Sequence, residues 1–243
     1  MKWQHYKFDV LSSTQSHLQA LVNETPNLPE GYVVQAGKQT SGYGRHGRDW
    51  EEGEGNLYTS FLLRPDCSVS AIGEVSLLSG VALANTFRKH IKTPPIYLKW
   101  PNDVLIEYKK CSGILIDSGS IHDGLIPYLI IGVGVNVKAA PLKESSHLQH
   151  YLTDDINADT VLSDLRQEFS TLYEQWKREG FTPIRDKWLK NSFPVGTRVS
   201  VKIKDNKITG KFQTIDNTGA LVITCDNSNK TKTITAGDVF INE

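Results

Sequence analysis

Residues 41–50, SGYGRHGRDW, combine backbone freedom with positive charge. The three glycines of this stretch let the backbone approach a ligand closely and keep the loop mobile while it is empty. Arg45 and Arg48 supply the forked donors that suit a phosphate group. The stretch therefore predicts a phosphate clamp, and the alternative left open is a flexible surface loop with incidental charge. It lacks the lysine of a Walker loop, and a strand follows it, which excludes a Rossmann fingerprint.

Two further stretches place polar side chains at the ends of apolar runs. LKWPNDVLI carries Asn102 and Asp103 in a turn, a position that both residue types favour for local reasons alone. KKCSGILID places Lys110 before a strand in which Gly113 permits close approach of a ligand or another backbone. A lysine at the mouth of a pocket lined by strands can hold a carboxylate or a phosphate. The alternative for Lys110 is an exposed lysine on an edge strand.

The stretch IGVGVNV interrupts an apolar strand with two glycines. Gly132 and Gly134 remove side chains from one face of that strand, which leaves room for a flat ligand beside them. Asn136 then offers both a donor and an acceptor for the edge of a base. The alternative is a bulge or tight packing against a helix.

The elements that position these residues alternate between strands and helices. Strands are predicted in HYKFDV, YVVQAGKQT, NLYTSFLLRP and LIPYLIIGVGVNV, and three short strands in PIYLKWPNDVLIEYKKCSGILIDSG. Helices are predicted after an N-cap at Ser12, Ser13 or Thr14, over residues 70–91 and over residues 160–178. Asp123-Gly124 indicates a hairpin turn. These elements form a mixed α/β domain that ends near residue 192.

From Phe193 to Glu243 the chain alternates, turns often and shows no helical spacing. This pattern predicts a small all-β barrel of the SH3-like kind.

Composition bounds the classes of protein. The 243 residues contain 27 Lys and Arg against 27 Asp and Glu, which argues against a general nucleic-acid coat or a membrane-surface protein. The three cysteines form no CxxC pair, so we expect free thiols and a cytoplasmic location. No signal peptide and no apolar run of about 18 residues is present, so no membrane span is expected.

The order and spacing of GYGRHGRDW, KWPND, KCSGIL and GVGVN resemble the catalytic domain of biotin–protein ligases. The similarity continues from LSSTQ near the start to IDNTGALVI and ITAGDVFI near the end. It implies an α+β fold of the class II synthetase and biotin ligase kind, with a mixed sheet and flanking helices. It further implies a catalytic domain over residues 1–192 that binds biotin and ATP, and an SH3-like domain over residues 193–243.

The resemblance also implies the roles of individual residues. Lys110, Arg45 and Arg48 are expected to be catalytic. The residues expected to bind biotin are Ser13, Thr14, Gln15, Gln39, Gly42, Tyr43, Gly44, Arg45, Trp50, Lys110, Gly113, Leu115 and Gly132. The residues expected to bind the nucleotide are Arg45, Arg48, Trp50, Asn102, Lys110, Asn136 and Tyr151, the last by stacking on adenine.

Two departures from the family pattern stand out. Tyr43 lies where family members usually carry Arg, so one cation of the loop is missing while Arg45 and Arg48 are kept. Some family members begin with a helix-turn-helix domain and repress transcription. Here the Ser-Ser-Thr segment follows Met1 closely, so we expect no such domain and no repression by that mechanism.

The reaction that the resemblance implies has two steps. Biotin and ATP give biotinyl-5′-AMP and pyrophosphate, and a lysine of a biotin carboxyl carrier protein domain then takes the biotin. Mg²⁺ is expected to arrive with ATP, and no tightly bound metal held by the protein is expected. We expect no nucleic acid and no membrane as partners, and a homodimer stays open.

Two other functions stay open at this point. Lipoate–protein ligases share a related fold and adenylation chemistry, although the combined motifs favour biotin. A non-catalytic binding protein would be expected to lose Lys110 or the loop arginines, and all three are present.

Overall fold

The computed structural model describes residues 1–65, 67–121 and 123–241. Its four helices are α1 (Thr14–Glu24), α2 (Ala71–His90), α3 (Ala158–Glu179) and α4 (Thr182–Lys190). The strands are β1 (Gln4–Leu11), β2 (Tyr32–Gln39), β3 (Leu57–Leu63), β4 (Cys67–Ser68), β5 (Ile96–Lys99), β6 (Asp103–Ile106), β7 (Lys109–Ser118), β8 (Leu125–Ile126), β9 (Leu129–Val135), β10 (Arg198–Ile203), β11 (Asn206–Ile215), β12 (Leu221–Cys225), β13 (Thr231–Ile234) and β14 (Asp238–Ile241). Two short 3₁₀ turns cover Arg45–Gly47 and Leu148–Tyr151.

A seven-stranded sheet forms the centre of the first domain, in the order β1-β2-β3-β9-β7-β6-β5. β1 and β2 are parallel, and every other neighbouring pair is antiparallel. The sheet is therefore mixed, and the α+β prediction is confirmed.

The two faces of the sheet are packed differently, as alternate residues of the central strand β9 show. Ile131 belongs to the large core that α2 and α3 cover, while Ile130 belongs to a smaller cluster with Leu18 of α1. Successive side chains of a strand point to opposite faces, so Gly132 and Gly134 lie on the face of Ile130. Beyond the N-terminal end of α1 that face is open, because these glycines have no side chains.

The predicted long helices are confirmed with small shifts of their ends. The helix expected over residues 160–178 is α3, which begins after Asn157, whose side chain accepts from the amide of Thr160 at 2.9 Å. Gly180 ends α3 with a φ of +75°, a conformation that glycine adopts without strain. The helix expected over residues 70–91 is α2, and Ser13 is the N-cap of α1.

The sequence prediction missed α4. Only two of its nine residues are fully buried, Ile184 and Trp188, and they are four positions apart. One such pair is too little periodicity to predict a helix, although Pro183 in the first turn is a helix-start signal.

The structure has a turn at Asp123-Gly124, but the strands on its two sides do not pair with each other as in a simple hairpin. Both residues have positive φ values, 52° and 78°. The following strand β8 pairs with β4, while β7 pairs with β9. The connection between β7 and β9 therefore makes a detour that the local sequence does not reveal.

The second domain is an antiparallel sheet in the order β13-β12-β11-β10-β14. Its all-β character is confirmed. Among the described residues β13 and β14 are the two edges of the sheet, so the pairing is that of an open sheet and closure into a barrel stays a prediction. The expected boundary at residues 192 and 193 falls between α4 and β10. The two domains touch where Trp100 donates from Nε1 to the carbonyl of Gly219 at 2.9 Å.

Candidate active site

A cavity of about 300 Å³ opens on the glycine face of the central sheet. Its walls include the start of α1, the loop of residues 41–50 (the glycine loop), the β5–β6 turn, β7, β9 and β14. The structure brings most of the predicted site residues to this cavity, namely Ser13, Thr14, Gln15, Gln39, Tyr43, Gly44, Arg45, Arg48, Trp50, Asn102, Lys110, Gly113, Leu115, Gly132 and Asn136.

One end of the cavity is built from neutral amides and hydroxyls. The backbone amide of Thr14 donates to Gln39 Oε1 at 2.8 Å, and its hydroxyl lies 2.9 Å from the hydroxyl of Ser60. Ser60 in turn donates to Gln15 Oε1 at 2.9 Å. These side chains share one network, so each is held in a set orientation before a ligand arrives.

Gln15 is oriented from both ends of its amide. Its Nε2 donates to Asp117 Oδ2 at 2.9 Å and to the carbonyl of Ile130 at 3.0 Å. A Cβ added at Gly132 would lie 2.7 Å from Gln15 Oε1. A side chain at residue 132 would therefore displace the Gln15 amide from this hydrogen-bonded position.

The side chain of Trp50 packs against Gly134 of β9, two residues beyond the Gly132 that Gln15 contacts. Gly113 and Gly134 are paired across β7 and β9, and a Cβ added at Gly134 would lie 2.5 Å from the indole of Trp50. The sequence predicts room for a flat ligand here, and the indole takes part of that room. The ammonium group of Lys110 lies 5.3 Å from the centre of the Trp50 ring, and the buried Trp50 Nε1 has no hydrogen-bond partner in the described structure.

The other end of the cavity is cationic and is organised by Asp103. Its Oδ1 lies 2.7 Å from Lys110 Nζ, and its Oδ2 lies 2.7 Å from Lys99 Nζ. Burial by itself would raise the pKa of this carboxyl group, but the two lysines outweigh burial and hold the pKa of Asp103 below its ordinary value. Asp103 is therefore ionised at neutral pH.

The arginines of the glycine loop are held by the second domain. Arg45 donates to Asp238 Oδ1 at 3.3 Å, to the carbonyl of Gly237 at 3.2 Å and to Asn102 Oδ1 at 3.2 Å. Arg48 forms an ion pair with the other oxygen of Asp238. Burial lowers the pKa of the Arg45 guanidinium, a shift that the carboxylate of Asp238 opposes, and the group stays charged.

Asn136 lines the cavity from the end of β9. Its Nδ2 donates to the carbonyl of Ser146 at 3.0 Å, which orients the side chain.

Two predicted site residues do not line the cavity. Gly42 is a buried residue of the loop, and its carbonyl accepts from the amide of Trp50 at 3.0 Å. Tyr151 lies in the second 3₁₀ turn, and its hydroxyl donates to Glu107 Oε2 at 3.3 Å. The structure therefore does not bring Tyr151 to the expected nucleotide site.

The polar residues at or next to the cavity that were not predicted from the sequence include Lys99, Asp117, Ser60 and Asp238. Lys99 opens the KWPND motif, and the turn predicted there sets Lys99 opposite Asp103 on the next strand, so this position was a usable signal. Asp117 and Ser60 have no local signal, because they reach the site only through the sheet register. Asp238 is nearly two hundred residues from the glycine loop in sequence.

Within the described ranges, no helix is both long and apolar enough to cross a membrane. The same ranges contain no group of three or more His, Cys, Asp and Glu side chains that could share a metal ion.

Comparison with known proteins identifies the class. Residues 7–136 match the biotin/lipoate A/B protein ligase family, and residues 195–241 match the biotin protein ligase C terminal domain. The first match extends over more than half of the chain. This chain therefore belongs to the biotin/lipoate A/B protein ligase family.

Relatives with named activities match most of the chain. The bifunctional ligase/repressor BirA of Bacillus subtilis is 35% identical over 225 residues, which are 88% of this chain and 67% of that protein. The biotin--[acetyl-CoA-carboxylase] ligase of Mycobacterium tuberculosis is 32% identical over 218 residues, 86% of this chain and 79% of that protein. Among solved structures, biotin protein ligase from Aquifex aeolicus in complex with biotin and ATP superposes with a TM-score of 0.82 at 26% identity, over 98% of this chain and 99% of that one.

Proposed function

We propose that this protein activates biotin with ATP to biotinyl-5′-AMP and transfers the biotin to a lysine of a carrier protein. The observation that carries the proposal is a single cavity with two chemically different ends. Biotin combines a neutral ureido ring with a carboxylate. The ring suits the amide and hydroxyl network around Gln15, and the carboxylate suits the cationic end at Lys110. Relatives that are named as biotin ligases support this assignment.

The first step joins two anions. A biotin carboxylate oxygen attacks the α-phosphorus of ATP, and the bond from that phosphorus to the bridging oxygen breaks as pyrophosphate leaves. Lys110, Arg45 and Arg48 offset the repulsion between the reactants and the charge that develops during the step. Binding both reactants in one cavity also removes the entropic cost of bringing them together.

The adenylate is a mixed anhydride that water destroys. The loop that carries Arg45 and Arg48 lines the cavity and is held against Asp238. A loop held there limits the access of water until the acceptor arrives. The amine of the acceptor lysine then attacks the biotinyl carbonyl, an amide forms, and AMP leaves.

The nucleotide half of the site is assigned to Arg45, Arg48, Trp50, Asn102, Lys110 and Asn136, which all line the cavity. We assign no nucleotide contact to Tyr151. Mg²⁺ would arrive with ATP and offset the charge of its phosphates, and the carboxylates of Asp103 and Asp238 already pair with lysine and arginine side chains. The acceptor that we propose is the biotin carboxyl carrier protein domain of acetyl-CoA carboxylase. We place the enzyme in the cytoplasm, where ATP is available and thiols stay reduced.

The proposal is tested by measuring pyrophosphate release from Mg-ATP with biotin, with lipoate and with neither acid. We expect release with biotin and none above background in the other two reactions. Release with lipoate in place of biotin would assign the protein to lipoate activation. Tight biotin binding without release would identify a binding protein that lacks the enzymatic activity.

A further inference from the structure

Lys99 is a second lysine in the cationic end of the cavity. It ends β5, and the carboxylate of Asp103, the first residue of β6, lies opposite it across the turn. Lys99 Nζ lies 2.7 Å from one oxygen of Asp103, and Lys110 Nζ lies 2.7 Å from the other. One carboxylate therefore positions two ammonium groups along the cavity wall.

Two ammonium groups pair with the one carboxylate of Asp103, so this group carries more positive than negative charge. A single lysine neutralises a buried carboxylate, and Lys110 already does so. With Lys99, the group of Lys99, Lys110 and Asp103 carries one net positive charge, and Lys99 lines the cavity and keeps about a fifth of its side chain exposed, 21%. An ammonium group has three donors, so the contact with Asp103 leaves donors of Lys99 for a ligand.

The reaction supplies an anion that suits this position. While the biotin carboxylate attacks the α-phosphorus, negative charge develops on the bridging oxygen of the departing pyrophosphate. Lys110, Arg45 and Arg48 serve the α-phosphate in the proposed mechanism, and the β- and γ-phosphates also require cations. Asp103 fixes Lys99 beside Lys110, so a chain of phosphates bound at Lys110 can continue to Lys99.

We propose that Lys99 binds the β- and γ-phosphates of ATP and the pyrophosphate that leaves, with Asp103 as the positioning residue that sets Lys99 beside Lys110. In the step, the α-phosphorus–oxygen bond breaks and its electron pair stays on the bridging oxygen, where Lys99 offsets the new charge without accepting or giving a proton. This inference rests on the proposed function. It assigns Lys99 to the first step alone, because pyrophosphate takes no part in the transfer to the carrier.

The two half-reactions separate this role from a structural one. The variant is Lys99→Met, the charge-keeping variant is Lys99→Arg, and the control is Lys109→Met. Lys109 is an exposed neighbour of Lys110 that does not line the cavity. Three quantities are measured: biotin-dependent pyrophosphate formation, inhibition by added inorganic pyrophosphate, and transfer from supplied biotinyl-5′-AMP to a carrier domain.

For Lys99→Met we expect adenylate formation to slow about tenfold or more and the inhibition constant of pyrophosphate to rise by a similar factor, the range of one charged hydrogen bond. Transfer from supplied biotinyl-5′-AMP should stay within about twofold of the wild type, Lys99→Arg should recover part of the loss, and Lys109→Met should leave all three quantities unchanged.

An unchanged inhibition constant for pyrophosphate in Lys99→Met would overturn the inference. Equal losses in both half-reactions would also overturn it, because Lys99 would then act only through Asp103 and Lys110. A wild-type protein that forms no pyrophosphate from biotin and ATP rejects the proposed function itself, before any variant is compared.

Discussion

Asp238 of the second domain accepts from Arg45 of the glycine loop at 3.3 Å and forms an ion pair with Arg48 through its other oxygen. One carboxylate thus holds both arginines of a loop that lies nearly two hundred residues earlier in the chain. The second domain therefore has a defined connection to the candidate active site, since it anchors the loop that carries the two arginines proposed to bind phosphate.

Asp238→Ala should release the loop in the ligand-free protein. Both arginines lose their counterion, so we expect trypsin to cleave after Arg45 and Arg48 several times faster than in the wild type. Because Arg48 is well exposed, the free energy of unfolding should fall by only about 1 kcal/mol. Mass spectrometry of timed digests provides the measurement. Asp226→Ala is the matched control, since Asp226 pairs with Arg198 on the same sheet, and unchanged cleavage in Asp238→Ala would contradict the anchor.

Arg45→Gly should separate synthesis of the adenylate from its retention. Lys110 stays in place, so biotinyl-5′-AMP should still form, while the loop loses its contacts with Asp238 and Asn102. We expect the intermediate to appear in solution about tenfold faster or more, as for the loss of a charged hydrogen bond. A filtration assay that separates free from bound biotinyl-5′-AMP measures this, and an unchanged rate of release contradicts the assigned role.

Gly134→Ala should displace Trp50. The added methyl group would lie 2.5 Å from the indole, closer than any real contact, so the ring must move off β9. We expect kcat/KM for adenylate formation to fall about tenfold or more while the fold is retained. In the control Gly80→Ala the new methyl group lies 3.5 Å from Leu98, an ordinary contact. The free energy of unfolding should rise by about 1 kcal/mol, because alanine favours the helix more than glycine. Equal kcat/KM values in the two variants would show that adenylate formation does not depend on the position of Trp50.

Asp103 should make part of the stability pH-dependent. Folding lowers the pKa of its carboxyl group, so its ion pairs stabilise the protein above the ordinary carboxyl pKa of about 4 and are lost as the pH falls through the folded pKa. We expect Asp103→Asn to unfold about 2 kcal/mol more easily than the wild type at neutral pH. That difference should narrow in urea unfolding as the pH falls to the ordinary carboxyl pKa of about 4 and below it. A difference that is constant or widens as the pH falls would show that Asp103 is not held ionised.

The sequence predicts the elements of this fold well, because their signals are local. The spacing of apolar residues predicts α2 and α3, and the Ser-Ser-Thr segment predicts the start of α1. The helix α4 has too few buried residues to be predicted. The detour between β7 and β9 depends on the pairing of β8 with β4, which no local pattern encodes.

The site divides in the same way. Motif spacing predicts Lys110, the loop arginines and the glycines of β9, and the structure brings them to one cavity. Asp238 and Asp117 reach the site only through tertiary contacts, so their positions in the sequence reveal nothing. Tyr151 is the converse case, because its hydroxyl donates to Glu107 and it does not line the cavity, so its stacking on adenine stays a prediction.

The most direct test of the central claim is the mass of a carrier domain incubated with the protein, biotin and Mg-ATP. The proposed biotin ligase activity predicts a gain of one biotin on the carrier with the wild type, no gain when lipoate replaces biotin, and no gain with Lys110→Ala although that variant stays folded. A carrier whose mass does not change with the wild type, in a reaction that also yields no biotinyl-5′-AMP, would contradict it. Near-normal transfer by Lys110→Ala would leave the ligase but refute the role of Lys110.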